Sequence, residues 1–155
     1  MPQRAIEILL VEDNPADIEL TLAALRRNHL VNEIHICRDG EEALEYLFGN
    51  GGEQAASLKV VLLDLKLPKV DGLQVLREIK NNPATRVLPV VVLTSSREER
   101  DMVESYNLGS NSYIQKPVDF EQFREMVRQI GLYWLVVNQP VSPAAALVAA
   151  NGVQR

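Results

Sequence analysis

Three uninterrupted apolar runs, ILLV (8–11), VVLL (60–63) and VVVL (90–93), constrain the fold of this chain more than any other feature. A strand that is apolar on both faces must be covered on both, which is the situation inside a parallel sheet. The wider extended segments are AIEILLV (5–11), EIHIC (33–37), KVVLLD (59–64), LPVVVLT (88–94) and SYIQ (112–115). Helical patterns alternate with them. NPADIELTLAALRRN (14–28) spaces Ile18, Leu22 and Leu25 on one face, and DGEEALEYLFG (39–49) closes at Gly49. DGLQVLREIKNN (71–82) ends before Pro83, and REERDMVESYNLG (97–109) stops at Gly109. DFEQFREMVRQIGLYW (119–134) sets Phe123, Val127 and Ile130 on one side. Five βα units in strict alternation predict an α/β sandwich with helices on both faces of a five-stranded parallel sheet. The alternating EIHIC suits an edge.

Bulk properties narrow the function. At 155 residues the chain is expected to form one domain with its own core. Its 46% hydrophobic and 24% charged residues argue against disorder. A net charge of -5 gives no reason to expect nucleic acid or anionic membrane as a partner. The apolar run at 8–11 is cut by Glu12, so it is no leader, and nothing approaches the ~20 apolar residues of a membrane span. One cysteine, Cys37, excludes an internal disulfide framework, and a cytoplasmic chain is expected. GNGGEQAAS (49–57) follows a helix and lacks a Lys-Ser/Thr pair, so it reads as a flexible loop rather than a phosphate cradle. Residues 138–155 read as a mobile tail behind a domain at 1–137.

The chemistry gathers at the strand ends, where ligands bind in parallel α/β sheets. Glu12 and Asp13 follow the first strand, Asp64 the third, Thr94 the fourth and Lys116 the fifth. Asp64 directly follows a buried apolar run, where an uncompensated carboxylate is costly. If the first and third strands are neighbours, three acids meet. Two carboxylates about 5 Å apart repel by roughly 3 kcal/mol at an effective dielectric near 20. Protons or a hard cation such as Mg²⁺ would relieve that. Capping alone does not account for these residues. Asn14-Pro15 with Asp17 already starts the first helix, and Ser96 with Glu99 forms a capping box for the fourth. His29 and His35 show no Cys or acidic spacing suited to a metal and read as surface and edge-strand residues.

The segments VEDN (11–14), LLDLKLPKVDG (62–72), LTS (93–95) and YIQKP (113–117), in this order, resemble the receiver domain of two-component response regulators. The resemblance spans residues 5 to 134 and implies a flavodoxin-like fold with strand order 2-1-3-4-5. It further implies that Asp64 accepts a phosphoryl group from a sensor histidine kinase. Asp13, Glu12 (through water), Asp64 and the Lys66 carbonyl would hold Mg²⁺. Thr94 and Lys116 would grip the phosphoryl oxygens, Lys116–Pro117 would be cis, and Tyr113 would change rotamer on activation. Lys66 beside Asp64, and Ser96 where an acid might orient water, predict slow self-dephosphorylation and no other enzymatic activity. The insertion at 49–57 and the Tyr133-Trp134 pair after the last helix are similar to single-domain regulators of bacterial phytochrome kinases. That subclass implies a homodimer through the fourth helix, fifth strand and fifth helix, with Tyr133 and Trp134 as interface or as local core caps. No output domain fits after residue 134. Two other classes compete for the same strand ends: a flavodoxin-like cofactor binder, which three acids would repel, and an Asp-nucleophile phosphatase, which would carry an acid where Lys66 stands.

Overall fold

A computed structural model describes residues 5–27, 32–105 and 112–130. The elements follow the alternation of the sequence: β1 (Ile6–Val11), α1 (Pro15–Arg27), β2 (Glu33–Cys37), α2 (Gly40–Phe48), β3 (Val60–Asp64), α3 (Gly72–Asn81), β4 (Val90–Thr94), α4 (Arg97–Ser105), β5 (Ser112–Gln115) and α5 (Phe120–Ile130). All pairings are parallel, in the order β2-β1-β3-β4-β5. This is the flavodoxin-like receiver arrangement, with the alternating β2 at an edge.

Both faces of the central strands are apolar because helices cover both. Leu9, Val11, Val61, Leu63 and Val92 pack with Val75, Leu76, Ile79 and Val103 of α3 and α4. Ile8, Leu10, Leu62, Val91 and Leu93 pack with Ile18 and Leu25 of α1 and with Phe123 and Met126 of α5. Each such side chain contributes roughly 1.5–3 kcal/mol by leaving water. On α5 the expected stripe is shifted: Phe123 and Met126 are buried and Val127 packs against them.

Helix starts differ from the sequence reading by one residue, for a common reason. Asp39, Asp71 and Asp119 stand outside their helices as caps, accepting bonds from the backbone N–H of Glu42, Gln74 and Gln122 at 2.7, 2.8 and 2.8 Å. Asn14 caps α1 as expected, taking the Asp17 N–H at 3.1 Å. The GNGG segment forms a tight turn within the expected loop, with Asn50, Gly51 and Gly52 at positive φ. Gly49 ends α2 with ordinary extended φ/ψ. Gly109, Tyr133, Trp134, His29 and the tail at 138–155 lie outside the described residues.

Candidate functional site

The strand order reverses between β1 and β3, so the crevice that such a sheet offers a ligand opens above Val11 and Asp64. Glu12 leaves β1 completely buried and Asp64 ends β3 at 3% exposure, while Asp13 faces solvent. One carboxylate oxygen from each of the three lies within 4.8 Å of the others. The condition set by the sequence is met, because β1 and β3 are neighbours.

Lys116 answers the charge. Its Nζ sits 3.2 Å from Glu12 Oε2, 3.2 Å from Asp64 Oδ2 and 2.9 Å from Asp17 Oδ2. Burial pulls the ammonium toward neutrality, but the bond to Asp17 and the charges of Asp64 and Glu12 outweigh it, and its pKa rises. Lys116 N–H donates to the Thr94 carbonyl at 2.7 Å, which ties the residue to the end of β4, and Lys116–Pro117 is cis, as the resemblance implied. Asp64 Oδ1 accepts from the Lys66 N–H at 3.3 Å, which holds the carboxylate over the β3–α3 loop.

Glu12 is the protonation-sensitive member. Burial, then a shared hydrogen bond and repulsion with Asp64, push its pKa from 4.5 to about 7. A folded chain that holds a proton the unfolded chain would release is most stable below the unfolded pKa. That contribution is lost as pH rises through the folded value. Without divalent cation, urea-unfolding stability should therefore fall, on the order of 1–3 kcal/mol, between about pH 4.5 and 7. Glu12→Gln should flatten the slope; an unchanged slope would place the titration elsewhere.

Three acids on oxygen-rich loops beside a backbone turn are donors of the kind that suits a hard divalent cation, and their mutual repulsion is a reason to bind one. The residues therefore fit the hard divalent cation that the resemblance implies.

Four features differ from the sequence reading. Asp17, taken as part of the α1 start, reaches across to Lys116. Lys66 turns its ammonium to Glu99, 3.7 Å away, rather than lying free beside Asp64. The expected capping box is half formed. Ser96 Oγ takes the Glu99 N–H at 3.3 Å, but the Glu99 carboxylate bonds to the Ser95 backbone and hydroxyl. Burial would raise the pKa of Glu99, yet those bonds and Lys66 hold it below the ordinary range. His35 lies on edge strand β2 as expected, but its ring, Cys37 and Glu42 bring donor atoms within 4.8 Å of one another, against the reading of no suitable spacing.

Thr94 is buried at the end of β4 and Tyr113 is half-buried on β5. Both line one cavity of about 560 Å³ beneath α4. The Arg100 guanidinium lies 4.7 Å from the centroid of the Tyr113 ring.

The response regulator receiver domain family matches residues 8–128, most of the chain. The chain belongs to this family. Among curated relatives, the receiver is 44% identical over 137 residues to a protein named probable methanogenesis regulatory protein FilR2 of Methanothrix harundinacea, covering 88% of each chain. It is 43% identical over 129 residues to response regulator Rcp1 of Synechocystis sp., covering 83% of this chain and 88% of that one. Among solved structures, the bacteriophytochrome response regulator AtBRR is 51% identical with a TM-score of 0.77, over 89% of this chain and all of the other. The bacteriophytochrome response regulator RtBRR is 46% identical at the same TM-score, over 95% and 90% of the two chains. A third similar structure is a Mn²⁺-bound form of Rcp1, 40% identical with a TM-score of 0.66, over 88% and 99% of the two chains. No described helix is long and apolar enough to cross a membrane.

Proposed function

We propose that this receiver is a stand-alone, cytoplasmic response regulator that takes a phosphoryl group on Asp64 from a sensor histidine kinase of the bacterial phytochrome type. The observation that carries the reading is the Asp64 carboxylate, held at a strand end within 4.8 Å of two further acids and 3.2 Å from the Lys116 ammonium. The names of two relatives support the phytochrome partner, and the shared length of the relatives supports the stand-alone form.

In-line transfer needs a positioned nucleophile and compensation of charge on the equatorial oxygens. Asp64 offers Oδ2, which pairs with the Lys116 ammonium at 3.2 Å, while the Lys66 N–H holds Oδ1. Lys116 stands where it can exchange its carboxylate partners for phosphoryl oxygens, and the Thr94 hydroxyl, at the adjacent strand end, adds a second donor. Glu12, Asp13, Asp64 and the Lys66 carbonyl would hold Mg²⁺, whose contribution is to neutralise phosphoryl charge. Lys66, anchored to Glu99, and Ser96 supply no base for water, so self-dephosphorylation is slow and no other turnover is supported. Phosphorylation draws Thr94 toward the new oxygens, and Tyr113 moves into the cavity both residues line. A coupling of about 1–3 kcal/mol would shift the α4–β5–α5 surface 5- to 150-fold between states. That surface is the homodimer face, extended by Tyr133 and Trp134; scattering mass that is the same for parent and Trp134→Ala at every concentration would remove the pair from it.

The test of the donor is direct transfer. A bacteriophytochrome kinase core, phosphorylated on histidine with labelled ATP, should pass its label to this chain within minutes and not to Asp64→Asn. Label that stays on the kinase while acetyl phosphate still modifies Asp64 would leave the receiver intact and overturn the phytochrome assignment.

A further inference from the structure

A second convergence of donor atoms lies at the edge of the sheet, on the α2 side. His35 and Cys37 are two residues apart on β2 and therefore share a face. The chain turns at Asp39, and the first turn of α2 brings Glu42 back over them. One ligand-capable atom of each lies within 4.8 Å of the others. The three are graded in depth: Cys37 is completely buried, His35 half-buried and Glu42 exposed. A cavity of about 470 Å³, bordered by His35, Asp39, Glu42 and Tyr46, opens above the pair His35–Glu42. The imidazole is already oriented, stacked on Tyr46 with centroids 4.2 Å apart and planes 12° from parallel. Glu42 Oε2 accepts the Arg38 N–H at 3.2 Å, which fixes the carboxylate.

We propose that His35, Cys37 and Glu42 form a second metal site for a borderline-soft divalent ion such as Zn²⁺, separate from the acidic pocket that serves phosphoryl transfer. A sulfur, an imidazole nitrogen and a carboxylate oxygen are the donor set such ions take, and a poor one for Mg²⁺. Asp39, Glu41, Glu42 and Glu45 border the cavity against one cation, Lys69, so its field favours a positive guest. Burial, with the charges of Glu42 and Asp39, pushes the Cys37 thiol up to about 12, and a bound cation reverses that preference. On binding, the S–H bond breaks, the metal–sulfur bond forms and the proton leaves to solvent, so affinity rises with pH. Zn–S and Zn–N lengths of about 2.3 and 2.0 Å require the three donors, within 4.8 Å of one another, to draw in around the ion, with Glu42 giving up its bond from the Arg38 N–H. The backbone ties the site to the phosphoryl pocket: the Cys37 carbonyl accepts the Glu12 N–H at 3.0 Å.

The experiment is a Co²⁺ titration of the full chain, reduced and in excess Mg²⁺ to keep the acidic pocket occupied. The parent should develop near-ultraviolet thiolate-to-cobalt absorption together with visible tetrahedral bands, and Zn²⁺ should abolish both. Cys37→Ser should lose the thiolate band. His35→Gln and Glu42→Gln should bind at least about tenfold more weakly, and Asp64→Asn should bind like the parent. His35→Gln alters a side chain at the strand edge and keeps the test valid should Cys37→Ser fail to fold. Absence of a thiolate band in the parent, or equal binding by parent and His35→Gln, would overturn the proposal. So would loss of the signal in Asp64→Asn, which would place the ion in the acidic pocket.

Discussion

Lys116→Ala should take up phosphoryl groups from acetyl phosphate at least about a hundredfold more slowly than the parent. Its Nζ is within 3.2 Å of three carboxylates, those of Glu12, Asp17 and Asp64. Without it those acids lose the cation that holds them in register, and the incoming phosphoryl oxygens lose a fixed positive partner. Removing one preorganised donor from a developing oxyanion costs roughly 10²–10³ in rate, and here the donor is also charged. Lys116→Arg should recover only part of the loss, because a planar fork cannot place its charge at the single point three acids share. Asp17→Asn isolates the positioning contribution: it removes the shortest of the three pairs, yet leaves Glu12, Asp13 and Asp64 unaltered. Single-turnover mass spectrometry reads all three variants. A Lys116→Ala rate within about threefold of the parent would show that the ammonium is structural.

Gly72→Ala tests the scaffold under Asp64. Gly72 opens α3, and its N–H donates to the Leu65 carbonyl at 2.9 Å, folding the β3–α3 loop back against the strand end. A Cβ there would lie 2.2 Å from the Asp64 carbonyl oxygen and 2.5 Å from the Leu65 Cα. Both are backbone atoms, so no rotamer relieves the contact. Overpacking of this kind costs about 1–3 kcal/mol, and the relief has to come from moving Asp64 or α3. A nucleophile displaced by about 1 Å loses roughly a hundredfold in rate. Gly72→Ala should therefore unfold at lower urea and, once folded, label slowly. A variant with parental stability and labelling would mean that the loop yields elsewhere.

The parts legible in the sequence were those governed by local pattern. The apolar runs at 8–11, 60–63 and 90–93 became β1, β3 and β4, and the alternating 33–37 became edge strand β2. Glu12, Asp13, Asp64 and Lys116 could be placed at strand ends from chain order, though their meeting depended on which strands are neighbours. What escaped depends on side-chain reach across elements. Asp17 sits in a good capping sequence, and nothing local says that its carboxylate crosses to Lys116. Lys66 and Glu99 are far apart in the chain, and only the packing of α4 beside the β3–α3 loop joins them. His35, Cys37 and Glu42 span a strand, a turn and a helix, so their convergence appears only once Asp39 has turned the chain.

The most direct measurement is intact-mass analysis after incubation with acetyl phosphate and Mg²⁺. A gain of about 80 Da that base removes, and that Asp64→Asn never acquires, is the predicted result. A parent chain that stays unlabelled with every phosphodonor, or an Asp64→Asn chain labelled as fast as the parent, would contradict it.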